Sequence, residues 1–516
     1  MRSERQTKSL LMKIVLTLIS LLIIGLEVFL YFYLINMVKN YNFIVVFMRI
    51  VGLICVASMF TNNLCSSYKL VWTIIILVFS FVGPVLYILL GNQRTFPKRK
   101  VKKINKYLSN YTYDNGLIEE LKQKDDVGYK HVKLMNTIEE CILYRIENVR
   151  FYPTIEEKFE DVITDIKNAE RYIFMEYFII SSGKNLDEII EALEEASRKR
   201  NIEIKILYDD IGSKITFNND SIKRLKQIPN LTIKKYEPLG FNFNPAVNFR
   251  DHRKIMIIDG KIGYIGGDNI GDEYTNVISK YGKWRDNAIK IEGEAIRSLL
   301  FLFSQTWYMS SKEVIDIAQY EGVNYNNLQK NDNGKGYILP YGDGPVDENN
   351  CAYDLYLSLI NNSKKYLYIS TPYFVIDKEF VDNICLAAKS GIDVRILLPG
   401  IPDKKIVYRL TKSNYGKLLK AGVKIYEYTP GFNHAKNFIS DDKYGVVGTI
   451  NVDYRSLYLH FENGALIIDD EVVNKMKNNF LDDLNDSHEV TLEEYNKRPK
   501  IIRLLEFILR VISPIL

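Results

Sequence analysis

The chain has 516 residues, enough for two or three domains with cores of their own. Its hydrophobic content of 47% and charged content of 25% are those of a globular protein, and the net charge of +5 is a weak signal that leaves no basic stripe for nucleic acid. Five scattered cysteines with no CxxC spacing suggest neither a disulfide framework nor a zinc site, and fit a reducing location for the soluble part.

The first ninety residues are membrane-like. Ile14–Leu34 is apolar with Glu27 as its one charge, Phe43–Phe60 is apolar except for Arg49, and Val71–Leu90 carries no charge. As helices the first and third are long enough to cross about 30 Å of hydrocarbon, and the second is marginal. Gly91–Lys106 then holds seven Lys or Arg and no acid. Directly after a span, such a run marks the cytoplasmic side and meets anionic headgroups. Residues 1–92 therefore read as a multi-pass anchor of two to three transmembrane helices, and 93–128 as a basic juxtamembrane linker. The catalytic part is expected in the cytoplasm.

From Tyr129 apolar runs alternate with amphipathic stretches, as in α/β folds. Glu170–Ile180 reads as a buried strand, Leu186–Arg200 as a helix, and "IEIKILYDD" and "LTIKKYEPL" as further strands. The second half repeats this order with Lys364–Ile376 as a strand, "KEFVDNICLAAKSG" as a helix, and "IDVRILLPG" and "VKIYEYTPG" as strands. Gln329–Asn350, rich in Gly, Asn and Asp, lies near the join. We expect two tandem copies of one α/β unit, 129–322 and 336–490, with a linker at 323–335. The tail 491–516 has apolar residues at helical spacing and reads as an amphipathic helix that either packs on the domain or meets the membrane surface.

Each copy carries H-x-K-x-x-x-x-D. The first runs from His252 through Lys254 to Asp259, the second from His434 through Lys436 to Asp441. Only five histidines are present, so two in this setting are not an accident. Asn269 and Asn451 each follow seventeen residues after their histidine. His and Lys two apart on a strand share a face. A two-residue turn at Asp259-Gly260 would set Gly267 opposite His252, and one at Asp441-Asp442 would set Thr449 opposite His434. His, Lys and Asn then gather at one end of each hairpin and Asp at the other. The aspartates are thus either turn residues or members of the reacting set.

Lys and Asn donate to anionic oxygens without a metal, and a neutral His can act as nucleophile or general acid/base. No cofactor and no metal are expected. Two such clusters around one phosphate suit a two-step phosphodiester exchange. A nucleophilic imidazole also needs its other nitrogen to donate to an acceptor. Asp286 in "KWRDNAIKI" and Glu462 in "LYLHFENGALII" stand where the next strand returns beside each hairpin. Each is expected to orient the histidine of its own half.

The doubled motif with Gly-rich flanks resembles the phospholipase D superfamily. "NFRDHRKIMIIDGKIGYIGGDNIGDEY", Trp284–Asp286, Thr371–Phe374, "GTINVDYRSLYLHFE" and the segment "VWTIIILVFSFVGPVLYILLGNQR" resemble bacterial cardiolipin synthases over nearly the whole chain. His460 in "LHFE" departs from that pattern, where Asn is frequent. The resemblance implies two phospholipase D-type domains with the active site between them, a cell-membrane location, and phosphatidylglycerol and other anionic lipids as partners. It implies condensation of two phosphatidylglycerols to cardiolipin and glycerol without metal, His252 attacking phosphorus and His434 serving as acid and base. Lys254, Lys436, Asn269 and Asn451 would hold the phosphoryl oxygens. The same residues would serve a phospholipase D that uses water. An inactive lipid-binding scaffold would be expected to have lost a His or Lys from one copy.

Overall fold

The computed structural model describes residues 41–61, 65–91, 116–236, 249–321, 336–345 and 349–515. The chain divides into two compact units, Met1–Thr95 with two short later pieces, and Phe96–Phe241 with Ala246–Ser513. In the first unit the helix Tyr41–Phe60 packs on the helix Ser66–Val78, with Met59, Trp72, Ile76 and Tyr87 buried between elements. Phe43, Leu53, Ile54 and Leu77 point outward, more than half exposed.

The expected uncharged span Val71–Leu90 is broken. Its helix ends at Val78, and Val82–Leu86 begins a second helix that continues as one wide turn to Gly91. Pro84 is the physical reason: it has no N–H to give the preceding turn, and its ring crowds the carbonyl four residues back. Thirteen residues of helix rise about 20 Å, short of a bilayer core. Among the described residues no helix is long and apolar enough to cross a membrane. Ile14–Leu34, and all of Gly91–Lys106 beyond Gly91, lie outside the described residues.

The second unit is built on two sheets. In the first the strands run in the order Asn148–Tyr152, Ala288–Glu292, Ile262–Gly266, Lys254–Ile258, Tyr172–Tyr177, Glu203–Asp209 and Leu231–Tyr236. The central seven strands of the second sheet run Tyr337–Asp343, Glu462–Ile468, Tyr444–Gly448, Asn437–Ser440, Tyr366–Ser370, Asp393–Pro399 and Lys424–Tyr428. In both, the last three strands named are parallel to one another and the other pairings are antiparallel. The central strands are buried on both faces, which is why they read as unbroken apolar runs rather than alternating ones.

The two sheets share a core. Phe174, Ile255 and Ile265 of the first sheet meet Ile439, Val447 and Ile467 of the second, and the helices Ile296–Ser311 and Asp470–Asn485 close it with Trp307 and Phe480. Removing either aromatic side chain would cost about 3–5 kcal/mol.

Chain order and spatial order part at one place. The expected linker 93–128 contains the helix Leu117–Lys124, and Asp126–Glu139 follows at once. Both pack on the second half: Tyr444 donates to Asp125 (2.8 Å), and His131 pairs with Ser358 (2.8 Å). Tyr144–Arg145 then pairs with Tyr337–Asp343 as an edge strand of the second sheet. Residues expected to open the first unit therefore complete the second, because their buried face (Leu121, Val132, Met135) finds its partners there. At the C-terminus, Lys500–Ile512 is an amphipathic helix with Ile501, Leu504, Leu505 and Val511 exposed.

Candidate active site

Each motif opens on an irregular residue and runs into a strand. The connections Asp259-Gly260-Lys261 and Asp441-Asp442-Lys443 have three residues, since Ile258 pairs with Ile262 and Ser440 with Tyr444. Positive φ at Asp259 and Gly260 (57° and 67°) and at Asp441 and Asp442 (57° and 61°) turns the chain. The register is one residue off the two-residue turn expected from sequence. Ile255 pairs with Ile265 and Asn437 with Val447, so the register runs on to Asp268 rather than Gly267 opposite His252, and to Ile450 rather than Thr449 opposite His434.

The motif aspartates sit at these turns, away from the histidines of their hairpins. Asp259 accepts the backbone N–H of Glu170, Arg171 and Tyr172 (2.8, 2.7 and 3.0 Å), and Asp441 accepts those of Lys364, Lys365 and Tyr366 (2.7, 2.8 and 3.1 Å). Grouping Asp259 and Asp441 with the catalytic residues is corrected by this placement. Their charge is spent on three otherwise unpaired amides at the start of the neighbouring strand.

At the other end of the hairpins the two halves exchange strands. Asp251 bridges to Phe461, with His252 N donating to Phe461 O (2.8 Å) and Phe461 N to Arg250 O (2.8 Å). In the same way Gly431–Asn433 pairs in parallel with Lys283–Arg285, and His434 N donates to Arg285 O (2.6 Å). Each histidine is thereby laid beside the carboxylate of the opposite half. His252 Nδ1 donates to Glu462 Oε2 (2.9 Å), and His434 Nδ1 donates to Asp286 Oδ2 (2.6 Å). Both carboxylates reach an imidazole, but the expected pairing within each half is wrong. The rings are 10% exposed and the carboxylates fully buried. A carboxylate only accepts, so each ring carries its proton on Nδ1 and offers the Nε2 lone pair.

Burial holds both imidazoles well below the ordinary histidine range, and cations push them lower still. At both rings these are Lys254, Lys436 and Lys404. Burial also pushes Lys254 down to about 7 and Lys436 down to about 8, against the pull of the buried carboxylates. Lys254 Nζ donates to His252 O (2.6 Å), and Lys436 Nζ does the same to His434 O. Asp286 is pushed up to about 6 by burial, an effect that Lys436 opposes. The arrangement is two neutral imidazoles with free Nε2 atoms, each beside a buried lysine and close enough for every charge to be felt at both.

Asn269 and Asn451 are both buried. Asn269 Oδ1 accepts Ile179 N (2.9 Å) and its Nδ2 donates to the Tyr274 hydroxyl (3.0 Å), while Asn451 Oδ1 has no hydrogen-bond partner among the described residues. Asn463 is a further site residue that sequence reasoning missed. Its Oδ1 accepts Lys254 N (3.2 Å) and its Nδ2 is buried with no partner among the described residues. Its one signal was the repeated acid-Asn pair, Asp286-Asn287 and Glu462-Asn463.

His460, noted only as a departure, also belongs here. Its ring lies 5.6 Å from that of His252, and its Nδ1 is 3.6 Å from Glu462. Ligand atoms of His252, His460 and Glu462 lie within 4.8 Å of one another, close enough to hold a metal ion. Lys254 and Lys436 beside them oppose a cation, and so does Arg455, whose Nε donates to His460 Nε2 (3.2 Å).

A family profile described as "Cardiolipin synthase, PLD-like domain" matches residues 162–301 and 356–484, and each match contains one motif. The chain belongs to this family of phosphatidyltransferases. It is 34% identical to "Cardiolipin synthase 2" of Staphylococcus epidermidis over 454 residues, 86% of this chain and 92% of the relative. A "Cardiolipin synthase" of Staphylococcus aureus is 34% identical over 467 residues, 86% of this chain and 90% of that one. An uncharacterized protein of Streptococcus mutans is 35% identical over 448 residues, 86% and 96% of the two chains. Among solved structures, a phosphatidylserine synthase of Haemophilus influenzae shares the fold. Its TM-score is 0.57 at 16% identity, over 75% of this chain and all of that one. The family's two profile matches stop short of residues 117–145, the segment that completes the second half from the front of the chain.

Proposed function

We propose that this protein is a cardiolipin synthase, moving a phosphatidyl group from one phosphatidylglycerol to another. The observation that carries the reading is the pair of neutral histidines, each fixed through Nδ1 by a buried carboxylate and each beside a buried lysine. His252 Nε2 attacks the donor phosphorus, and the bond to the glycerol oxygen breaks. His434 supplies the proton to the departing glycerol. The bound phosphodiester anion, together with Asp286, favours the imidazolium that His434 must carry for this step. In the second step the hydroxyl of another phosphatidylglycerol gives its proton to His434 and attacks the phosphatidyl-His252. The N–P bond breaks and cardiolipin leaves. Lys254, Lys436, Asn269 and Asn451 hold the phosphoryl oxygens, which take the charge-neutralising role from any metal.

The reading includes a membrane-anchored protein with its catalytic part in the cytoplasm. The outward apolar side chains of the Tyr41–Phe60 helix support it, as does the apolar stretch 14–34. The two catalytic halves run through 146–321 and 336–490, with 117–145 added to the second. The exposed face of Lys500–Ile512, with Arg503 and Arg510, suits contact with an anionic lipid surface.

The test is incubation of the purified full chain with phosphatidylglycerol vesicles in excess chelator, followed by lipid separation. Cardiolipin and glycerol in equal amounts are expected. Phosphatidic acid as the main product would make the protein a hydrolase, and activity that depends on added Mg²⁺ or Zn²⁺ would overturn the metal-free mechanism.

A further inference from the structure

A synthase has a need that a hydrolase does not. Its acceptor is itself an anionic lipid, so a second phosphate must approach the first. The two buried motif lysines stand at the reacting phosphorus, and each already bonds a backbone carbonyl of its own motif. A further cation, placed outside the buried cluster but near it, would meet the second phosphate.

Lys404 has that position. It follows the strand Asp393–Pro399 and precedes the helix Lys405–Ser413, and its side chain is exposed. Its Nζ lies 5.0 Å from the Tyr373 ring centroid. From there a line of rings leads inward: Tyr373 is 6.3 Å from Phe432, and Phe432 is 5.7 Å from His434. The Tyr373 hydroxyl donates to Asp403 (2.5 Å), and Thr371 Oγ1 donates to Tyr373 O (2.8 Å) while accepting Val452 N (3.1 Å). The platform under Lys404 is therefore tied to the segment that carries Asn451. Among the described residues no carboxylate lies within 4.0 Å of Lys404, although its charge reaches both histidines. The first half is built differently at the end of the matching strand. There the matching strand ends in Asp209, which binds Arg250 (2.5 Å) and caps the turn at Ile211 and Gly212.

We infer that Lys404 is the acceptor subsite, binding the phosphodiester of the second phosphatidylglycerol on the His434 side of the cleft. This deepens the synthase reading and rests on it. The acceptor's terminal hydroxyl is joined to its own phosphate by a three-carbon glycerol. Anchoring that phosphate at Lys404 brings the hydroxyl toward His434 Nε2, which takes its proton as the O–P bond forms and the N–P bond to His252 breaks.

The test lets two acceptors compete for one intermediate. Full-length protein in vesicles receives fluorescent phosphatidylglycerol as donor, unlabelled phosphatidylglycerol as anionic acceptor and 1-butanol as neutral acceptor. Both products arise from the same phosphatidyl-histidine, so their ratio cancels effects on the donor step. Lys404→Ala should lower the ratio of cardiolipin to phosphatidylbutanol roughly fivefold, and Lys404→Glu should lower it further, the magnitude of one partly exposed ion pair to phosphate. Lys404→Arg should keep most of the ratio. An unchanged ratio in Lys404→Ala, or an equal fall in Lys404→Arg, would overturn the assignment. Phosphatidic acid alone from the unaltered protein would overturn the synthase reading and this one with it, and it is told apart because no variant is involved.

Discussion

The two halves hold the same motif in the same seven-strand frame, yet they support their histidines differently. His434 leans on Asp286, a short side chain that also accepts Asn287 N (2.9 Å) and lies against Gly267, where a Cβ would come within 2.5 Å of its oxygen. His252 leans on Glu462, one carbon longer, and Thr449 stands at the matching place and donates its hydroxyl to that carboxylate. His460 approaches Glu462 as well, with its pKa pushed down to about 3 by burial. A carboxylate shared among donors has less negative charge to give to any one of them, so the His252 imidazolium is the less favoured of the two. An acid must be able to become protonated, whereas a nucleophile must stay neutral. The difference between the halves thus agrees in sense with His252 as nucleophile and His434 as acid and base.

The most severe way to break that comparison is to remove the rings one at a time. His252→Ala and His434→Ala should each lower cardiolipin formation by about 10³-fold or more while circular dichroism and vesicle association stay as in the parent. Protein denatured in neutral detergent should carry labelled phosphatidyl group in the parent, a slowly accumulating amount in His434→Ala, and none in His252→Ala. Label on His434 in the reverse pair would exchange the two roles.

The crossed carboxylates come next. Asp286→Asn and Glu462→Gln should each cut kcat by on the order of 10²- to 10⁴-fold with little change in KM, because the ring loses its tautomer and not its place. Single-turnover kinetics separate the two steps. Glu462→Gln should slow mainly formation of the phosphatidyl-enzyme, and Asp286→Asn should slow both its formation and its breakdown, because His434 acts in each. If each carboxylate instead affects the step run by the histidine of its own half, the crossing has no kinetic meaning.

The pH profile of kcat/KM sharpens the comparison of the two lysines. A lysine holds phosphate while protonated, below its pKa, and loses that charge as pH rises through it. With Lys254 near 7 and Lys436 near 8, the alkaline limb should begin between these values rather than near 10.5. Burial holds both histidines well below 6.5, so His252 stays neutral while the protonated fraction of the acid His434 grows as pH falls, and the rate should not drop through that value. A rate that halves between pH 7 and 6.5 would contradict it.

The smallest effects on chemistry are expected at the turns. Asp259→Asn and Asp441→Asn should each destabilise the fold by about 1–3 kcal/mol in urea titration, since an amide cannot accept three N–H groups as a carboxylate does. Folded protein should retain kcat within tenfold. A loss as deep as that of the histidine variants would return the aspartates to the reacting set.

Much of this was legible in the residues. The apolar runs marked the strands, the repeated order marked two copies of one unit, and the paired motifs marked the cluster. That the aspartates stand at the turn end followed from counting along a hairpin, although the count was one residue short because the connections have three residues. The break after Val78 was also readable from Pro84, which disfavours a helix through the turn before it. His460 was noticed and given no role, since nothing local says that a ring after "LYL" will lie near a histidine two hundred residues earlier.

Sequence by itself determined which groups are candidates for the chemistry, because a histidine, a lysine and a carboxylate are residue types, and their repetition is visible in one dimension. It determined the hairpins too, whose partners are neighbours in the chain. Only the tertiary structure decided which acid serves which histidine. That choice is made by two short parallel pairings, Asp251 with Phe461 and Gly431–Asn433 with Lys283–Arg285, which join segments about 150 to 210 residues apart. Local periodicity carries no trace of such pairings, since either carboxylate would sit equally well on its strand with either ring beside it. Burying both sheets against one shared core brings the two hairpin ends together, and the exchange follows from that contact.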